Sequence, residues 1–282
     1  MTDTNRKTLK SVLESGILYL QECGIDDATR DAWLLMEHVS GIDHSIYYAH
    51  SSDEMDPDQY RKYRELLEKR GMHIPLQYLT GKAWFYGLCF HVNESVLIPR
   101  QDTEILVEEA LHHLENGDRV LDLCTGSGCI LTAILHEKPK CTGTGADISP
   151  EALQIAEENA AYLGERVHFV QSDLFLALEE TYDLIVSNPP YIRTQVIKEL
   201  MPEVKDYEPR LALDGKADGL HFYRRIIADA HRYLREGGYL CLEIGYDQGE
   251  EVRKLMNAAG YSDVIVQKDL AGLDRVVSGR RA

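Results

Sequence analysis

Asn188, Pro189, Pro190 and Tyr191 stand side by side directly after the apolar run Tyr182–Ser187. Proline lacks an N–H and fixes φ, and a residue before proline is pushed into extended backbone, so Asn188 and Pro189 are held straight and two donors disappear. What remains is a stiff row of acceptors. The Asn188 side-chain oxygen and the Pro189 carbonyl can each take one hydrogen of an NH2 group. The nitrogen of an amide or aryl amine is a poor nucleophile because its lone pair is delocalised. Acceptors that draw its hydrogens out of conjugation restore that lone pair and stabilise the positive charge that develops as it reacts. Tyr191 adds a flat ring able to stack on a conjugated group. Such a site works without a base of shifted pKa, but it needs an electrophile.

A place for one is written upstream. The apolar run that starts at Val120 ends in Cys124, Thr125, Gly126, Ser127 and Gly128, and a second apolar stretch follows. Two glycines in a strand-to-helix turn let a ligand approach the backbone at the carboxyl end of the strand, where ligands of open α/β sheets bind. A dinucleotide fingerprint would place a third glycine where this chain has Leu131, which favours S-adenosylmethionine over a nicotinamide. A bare tight turn would explain the glycines alone. Asp147, 19 positions after Gly128, adds a carboxylate near the spacing at which an acidic residue meets a ribose hydroxyl pair. Ser149, followed by Pro150, is read as the cap of the next helix, which leaves Asp147 for the ligand.

The elements that must hold these residues follow from periodicity. From Lys7 to about Leu79 three apolar faces recur at helical spacing, on Leu9, Leu13, Ile17 and Leu20, on Ala32 to Val39, and on Tyr60, Tyr63, Leu66 and Leu67. Gly24 and Gly41 are expected to stop the first two helices, and Asp56 with Pro57 to open the third. Between Trp84 and Leu97 the period drops to two. After Pro99 a helix is expected from Asp102 to Leu114. Strand candidates then alternate with helices: Val120–Cys124, Thr142–Ile148, Val167–Gln171, Tyr182–Ser187, Tyr239–Ile244, Val264–Gln267 and Arg275–Val277. The last two have only a turn between them and predict an antiparallel hairpin at the sheet edge. The expected fold class is α/β: a Rossmann-like class I methyltransferase with a mostly parallel seven-stranded sheet and a reversed edge strand, plus a small N-terminal helical domain. The expected domains are a helical docking domain over 1–82, a hairpin linker over 83–98 and a catalytic domain over 99–282.

Composition narrows the partners. With 30 Lys and Arg against 47 Asp and Glu the formal charge is −17, which repels phosphate backbones and argues against direct nucleic-acid binding. Six cysteines lack any C-x-x-C pair, and the histidines, including His112 and His113, lack zinc-ligand spacing; neither a disulfide framework nor a metal site is expected. The opening residues have no signal-peptide pattern and no apolar run approaches the roughly 20 residues that span a bilayer. A soluble cytoplasmic protein without membrane contact is expected.

Several longer motifs together carry a resemblance. Residues 75–81 read P-L-Q-Y-L-T-G, 97–104 read L-I-P-R-Q-D-T-E, 122–128 read D-L-C-T-G-S-G, 188–191 read N-P-P-Y, and 207–213 read Y-E-P-R-L-A-L with D-G-L at 218–220. N-P-P-Y alone is shared with adenine N6-methyltransferases; the combination is far more specific. Over nearly its whole length the chain resembles the HemK family of protein N5-glutamine methyltransferases, and within it the members that modify peptide chain release factors. The resemblance implies S-adenosylmethionine as methyl donor and S-adenosylhomocysteine as product. It implies class I release factors as partners, contacted by the helical domain, and the glutamine of their Gly-Gly-Gln motif as target. Carried onto this sequence, the cofactor set is Cys124, Thr125, Gly126, Ser127, Gly128, Asp147, Leu174 and Asn188. The substrate pocket is Asn188, Pro189, Pro190 and Tyr191, with Asn188, Pro189 and Tyr191 acting on the reacting nitrogen. Two positions depart from the pattern: Cys124 stands where the family often has a glycine, and Leu174 where some members have an aromatic. Glu208 is left between shaping the pocket and a structural ion pair. The rival readings are an adenine N6-methyltransferase, a glutamine methyltransferase of a ribosomal protein, and a cofactor-binding adaptor without activity.

Overall fold

The structure is a computed structural model and describes residues 7–282. Two compact units divide the chain at Gly81 and Lys82, and the short segment Pro202–Tyr207 belongs with the first.

The first unit is helical. It comprises α1 (Leu9–Glu22), α2 (Ala28–Ser40), α3 (His44–His50), α4 (Pro57–Gly71) and α5 (Leu76–Thr80). Thr8 caps α1 by accepting from the Ser11 N–H, and Asp56 caps α4 by accepting from the Asp58 and Gln59 N–H groups, with Pro57 in the first turn. Gly41 ends α2 at φ 71°, a left-handed conformation that costs glycine nothing. Leu9, Leu13, Leu20, Leu35, Met36, Tyr63 and Leu67 form the core. Tyr63 is fully buried, and its hydroxyl donates to the Ala32 carbonyl at 3.1 Å. Arg70, buried at the end of α4, donates to Asp31 at 2.6 Å and to Glu203 at 3.1 Å, while His73 Nδ1 lies 3.0 Å from the same Glu203 oxygen. Glu203 lies in Pro202–Tyr207, so a sequence-distant helix is fastened to this unit by charge.

The second unit opens with the hairpin β1 (Lys82–Phe85) and β2 (Leu88–His91). This is not a free connector. Phe85 and Phe90 are buried in the unit's core, and Asn159 holds His91 by accepting from its N–H and donating to its carbonyl. The elements that follow are α6 (Glu104–His113), β3 (Arg119–Leu123), α7 (Cys129–Glu137), β4 (Thr142–Asp147), α8 (Pro150–Leu163), β5 (Val167–Gln171) and β6 (Tyr182–Ser187). The helix of the Pro202–Tyr207 segment is α9. After it come α10 (Arg210–Leu213), α11 (His221–Ala230), β7 (Leu234–Glu243), α12 (Gly249–Ala258), β8 (Tyr261–Lys268) and β9 (Asp274–Arg281).

The seven-stranded sheet has the order β5-β4-β3-β6-β7-β9-β8; β3 to β7 are parallel, and β9 runs antiparallel to both neighbours. The hairpin expected at the edge is present, and its reversed strand is the inner member, one place in from the edge strand β8. Strand alternation divides the core between the two faces. Leu121, Leu123, Ile185 and Leu242 point to one face, and Val120, Leu184, Val186 and Cys241 to the other. The chain starts at β3, moves outward through β4 to β5, then returns to lay β6 on β3's other side. That reversal of direction is where an open parallel sheet leaves a crevice at its strand ends.

Candidate active site

Three strand ends meet at that crevice, those of β3, β4 and β6, and a cavity of about 350 Å³ lies over them. From the β3 end it is lined by Cys124, Thr125, Gly126 and Ser127, from the β4 end by Asp147, and from the β6 end by Asn188 and Pro190; Leu174 lines it as well. Gly128, Pro189 and Tyr191 are not among the residues that line it.

The β3 loop is shaped by left-handed backbone. Gly126 has φ 54° and Gly128 φ 76°, and a Cβ on Gly128 would meet that of Ala156 at 3.0 Å, so only glycine lets α7 start here. Cys124 has φ 59° and Leu174 φ 54°, both in a region that L side chains occupy under strain. The position where a glycine was expected therefore has glycine geometry with a cysteine in it. Burial pushes the Cys124 thiol up, with the carboxylates of Asp147 and Asp122 adding to the effect, so it stays protonated and inert. Thr125 donates to the buried Asp122 at 2.6 Å, which ties the loop to β3. Burial raises the Asp122 carboxyl to about 7, against the pull of the Thr125 hydroxyl.

Asp147 binds the loop and the next helix together. Its Oδ2 accepts from the Gly126 N–H at 2.9 Å and its Oδ1 from the Ser149 N–H at 3.0 Å, while Ser149 caps α8 through Ala152. Burial raises its pKa, and the two N–H groups oppose the shift. Each carboxylate oxygen keeps lone-pair capacity toward the cavity.

Asn188 is half-buried, and its Nδ2 donates to Thr103 Oγ1 at 3.3 Å. The amide oxygen is then the end available to the cavity. Tyr191 is packed against the hydrophobic core, and burial pushes its pKa well up, with the charge of Glu243 adding to the effect. Its carbonyl accepts from Gln248 Nε2 at 3.0 Å. A Cβ on Gly215 would come within 2.7 Å of the Tyr191 backbone, so glycine there is what allows 192–194 and 213–216 to run together.

Sequence reasoning missed several lining residues. Thr103 and Arg100 lie within the stretch 97–104 but were given no separate role. Phe222, at the start of α11, supplies the cavity with an aromatic ring that Leu174 does not. No spacing rule connects residue 222 with a loop at 124; only the fold does. Glu208 is buried and ion-paired with the cavity-lining Arg100, and burial raises its pKa despite that guanidinium. Among the described residues no group of three or more His, Cys, Asp or Glu side chains could hold a metal ion, and no helix is long and apolar enough to cross a membrane.

Comparison with known proteins gives the same picture. Residues 11–81 match the model of the PrmC N-terminal domain, and residues 101–204 that of the methyltransferase small domain. Among solved structures, a methyltransferase from Pyrococcus furiosus superposes with a TM-score of 0.53 at 18% identity, covering 70% of this chain and 90% of that one. A Thermus thermophilus 16S rRNA N2 G1207 methyltransferase in complex with AdoMet and guanosine does so at 0.50 and 17%, covering 71% and 50%. These two show the fold. The release factor glutamine methyltransferase of Geobacter sulfurreducens is 42% identical over 97% of this chain and 96% of its own length. That of Cereibacter sphaeroides is 43% identical over 95% and 96%, and that of Caulobacter vibrioides 41% over 92% of each. With identity of this order along nearly the full length, the chain belongs to the release factor glutamine methyltransferase family.

Proposed function

We propose that the protein methylates N5 of the glutamine in the Gly-Gly-Gln motif of class I peptide chain release factors, in the cytoplasm, with S-adenosyl-L-methionine as donor. The observation that carries this reading is the presence, in one cavity, of a carboxylate at the end of β4 and an asparagine oxygen at the end of β6, with the glycine loop between them.

The residues present fit the donor. A cavity of about 350 Å³ falls in the range of roughly 300–1,000 Å³ usual for small-molecule sites. Where Gly126 would carry a Cβ the nearest atom is 4.0 Å away, so the missing side chain leaves room against the loop. Asp147 suits the ribose hydroxyls, and Leu174 and Phe222 offer apolar and aromatic surface. When bound, S-adenosylmethionine supplies an electrophilic methyl group on sulfonium sulfur. Asn188 Oδ1 accepts one hydrogen of the glutamine amide. The reading assigns the other to the carbonyl of Pro189, the next acceptor on a segment that lacks N–H groups at 189 and 190. Held in this way, the amide lone pair is aimed instead of delocalised, and the charge that develops on nitrogen meets fixed dipoles. The N–CH3 bond would form as the donor's S–CH3 bond breaks, and the proton that the nitrogen gives up would pass to solvent water.

The adenine reading is disfavoured by the charge of −17 and by the names of the relatives. The test is transfer from radiolabelled S-adenosylmethionine to a release factor, to the same factor with its Gly-Gly-Gln glutamine replaced, to a ribosomal protein extract and to duplex DNA. Label on the intact factor alone is expected. Label on DNA or ribosomal protein without label on the factor overturns the proposal, and tight donor binding without label anywhere favours the adaptor.

A further inference from the structure

Gln248 stands just ahead of α12, at the N-cap position, where a short oxygen-bearing side chain usually closes the first turn. Here the side chain makes no cap bond and turns inward, and the residue is 3% exposed. A buried amide needs partners for its hydrogens and for its oxygen. Gln248 Oε1 accepts from the Gly245 N–H at 3.0 Å, and Nε2 donates to the Tyr191 carbonyl at 3.0 Å and to the Gly219 carbonyl at 3.3 Å. A main-chain N–H only donates and a carbonyl only accepts, so this amide lies one way round. The neighbouring backbone leaves it room: a Cβ on Gly219 would come within 2.4 Å of the Tyr191 oxygen and 2.6 Å of Nε2. Three segments distant in sequence thus meet on one side chain: the end of N-P-P-Y at 191, the D-G-L stretch at 218–220, and the loop that follows β7.

Tyr191 is where the N-P-P-Y row needs a hold. Before the row starts, Ser187 is fixed in β6 between Leu123 of β3 and Leu242 of β7. Pro189 and Pro190 have no N–H to give to a neighbouring segment. The main chain is held again at Tyr191, through Gln248, and at Ile192, whose N–H donates to the Leu213 carbonyl at 3.0 Å and whose carbonyl accepts from the Gly215 N–H at 2.8 Å.

We propose that Gln248 is a positioning residue for methyl transfer: by holding the Tyr191 carbonyl it sets where the Pro189 carbonyl stands relative to the Asn188 amide oxygen, and with it the spacing of the two acceptors that take the substrate NH2. This rests on the reading of those two groups as the acceptors of the amide hydrogens. Gln248 does not line the cavity, so it acts through the main chain of 189–191 and not by contact with donor or substrate.

The experiment compares wild type with Gln248→Met, Gln248→Asn and Met256→Ala. Methionine keeps the bulk and removes every hydrogen bond of the amide, whereas asparagine keeps the amide on a side chain about 1.5 Å shorter. Met256, fully buried in α12 and outside the cavity lining, loses core volume and controls for stability. The readouts are the urea midpoint, S-adenosylhomocysteine affinity by calorimetry, kcat and KM for methyl transfer to a release factor, and crystal structures with S-adenosylhomocysteine bound. Both Gln248 variants should lower kcat about 10- to 100-fold, with donor Kd within about twofold and KM for the factor within about threefold, the signature of a small misplacement at the reacting atoms. Their Pro189–Tyr191 main chain should be displaced by roughly 0.5 Å or more. Met256→Ala should lower the urea midpoint and leave kcat as in wild type. A wild-type kcat in both Gln248 variants overturns the proposal, as does an undisplaced Pro189–Tyr191, or a Met256→Ala that loses as much kcat for the same loss of midpoint. If Gln248→Met does not fold, Gln248→Asn decides by the same criteria. If wild type leaves the release factor unlabelled, the functional reading fails by itself, and the crystal structures still decide whether Gln248 positions the segment.

Discussion

Asp147→Asn isolates the contribution of one carboxylate to donor binding. In the wild type the two oxygens take the Gly126 N–H at 2.9 Å and the Ser149 N–H at 3.0 Å, and each has lone-pair capacity left for a ribose hydroxyl. Asparagine offers one oxygen and one NH2. Whichever way it turns, the NH2 faces one of those N–H groups, and one hydroxyl loses its acceptor. A hydrogen bond to a charged group contributes about 1.5–3 kcal/mol and a neutral one about 1 kcal/mol, so losing one and demoting the other costs roughly 2–5 kcal/mol. At about 1.4 kcal/mol per decade this is a rise in Kd of roughly 30- to 4,000-fold. Titration calorimetry with S-adenosylhomocysteine measures it without turnover. Because burial raises the Asp147 pKa, wild-type affinity should begin to fall at a higher pH than for an ordinary aspartate as the solution is acidified, while the variant stays flat. A Kd within threefold of wild type, or equal pH profiles, would refute the placement of the ribose at Asp147.

Glu243→Gln should stabilise the fold in base. The folded carboxyl is raised from 4.5 to about 7, so its contribution is fully present below pH 4.5 and lost as pH rises through 7, on the order of 3 kcal/mol in all. The urea midpoint of the variant should exceed wild type at pH 8 and match it at pH 4; equal shifts at both would contradict the buried ionisation. Arg70→Met leaves Asp31 and Glu203 without their shared cation and should cost about 3–5 kcal/mol, read as a lower denaturation midpoint. Cys124→Gly removes a Cβ from a residue at φ 59°; the relief of about 1 kcal/mol offsets the added freedom of the unfolded chain, so stability and donor affinity should both stay within about threefold of wild type.

The parts of this architecture that depend on local rules were legible in the sequence. Thr142 to Gln171 reads as strand, capped helix and strand because Ser149 and Pro150 mark the helix start, and they do so in the structure. The glycine loop, Asp147 and Asn188 were found because each closes a strand, and parallel strands bring their ends to one edge. Helix α3 was not legible: none of its residues is buried, so it has no apolar face to show a period. The edge of the sheet was readable as a hairpin but not as an insertion of β9 beside β7, since pairing order across a sheet leaves no trace in alternation. Phe222 and Arg225 became neighbours of the loop through distant segments folding to one place.

The attachment of Pro202–Tyr207 to the helical unit bears on how such a protein can be taken apart. The chain leaves that unit at Gly81, builds six strands of hairpin and sheet, returns for one short helix, and departs again. A gene fragment starting at Lys82 would therefore encode a stranded helix with Glu203 deprived of Arg70 and His73, and Tyr207 deprived of the Met72 carbonyl to which its hydroxyl donates at 2.7 Å. The two units are not beads on a string. Grafting a foreign recognition module onto this catalytic scaffold would require replacing residues 202–207 along with the first 81, and recombination at a single crossover would yield chimeras whose halves no longer match.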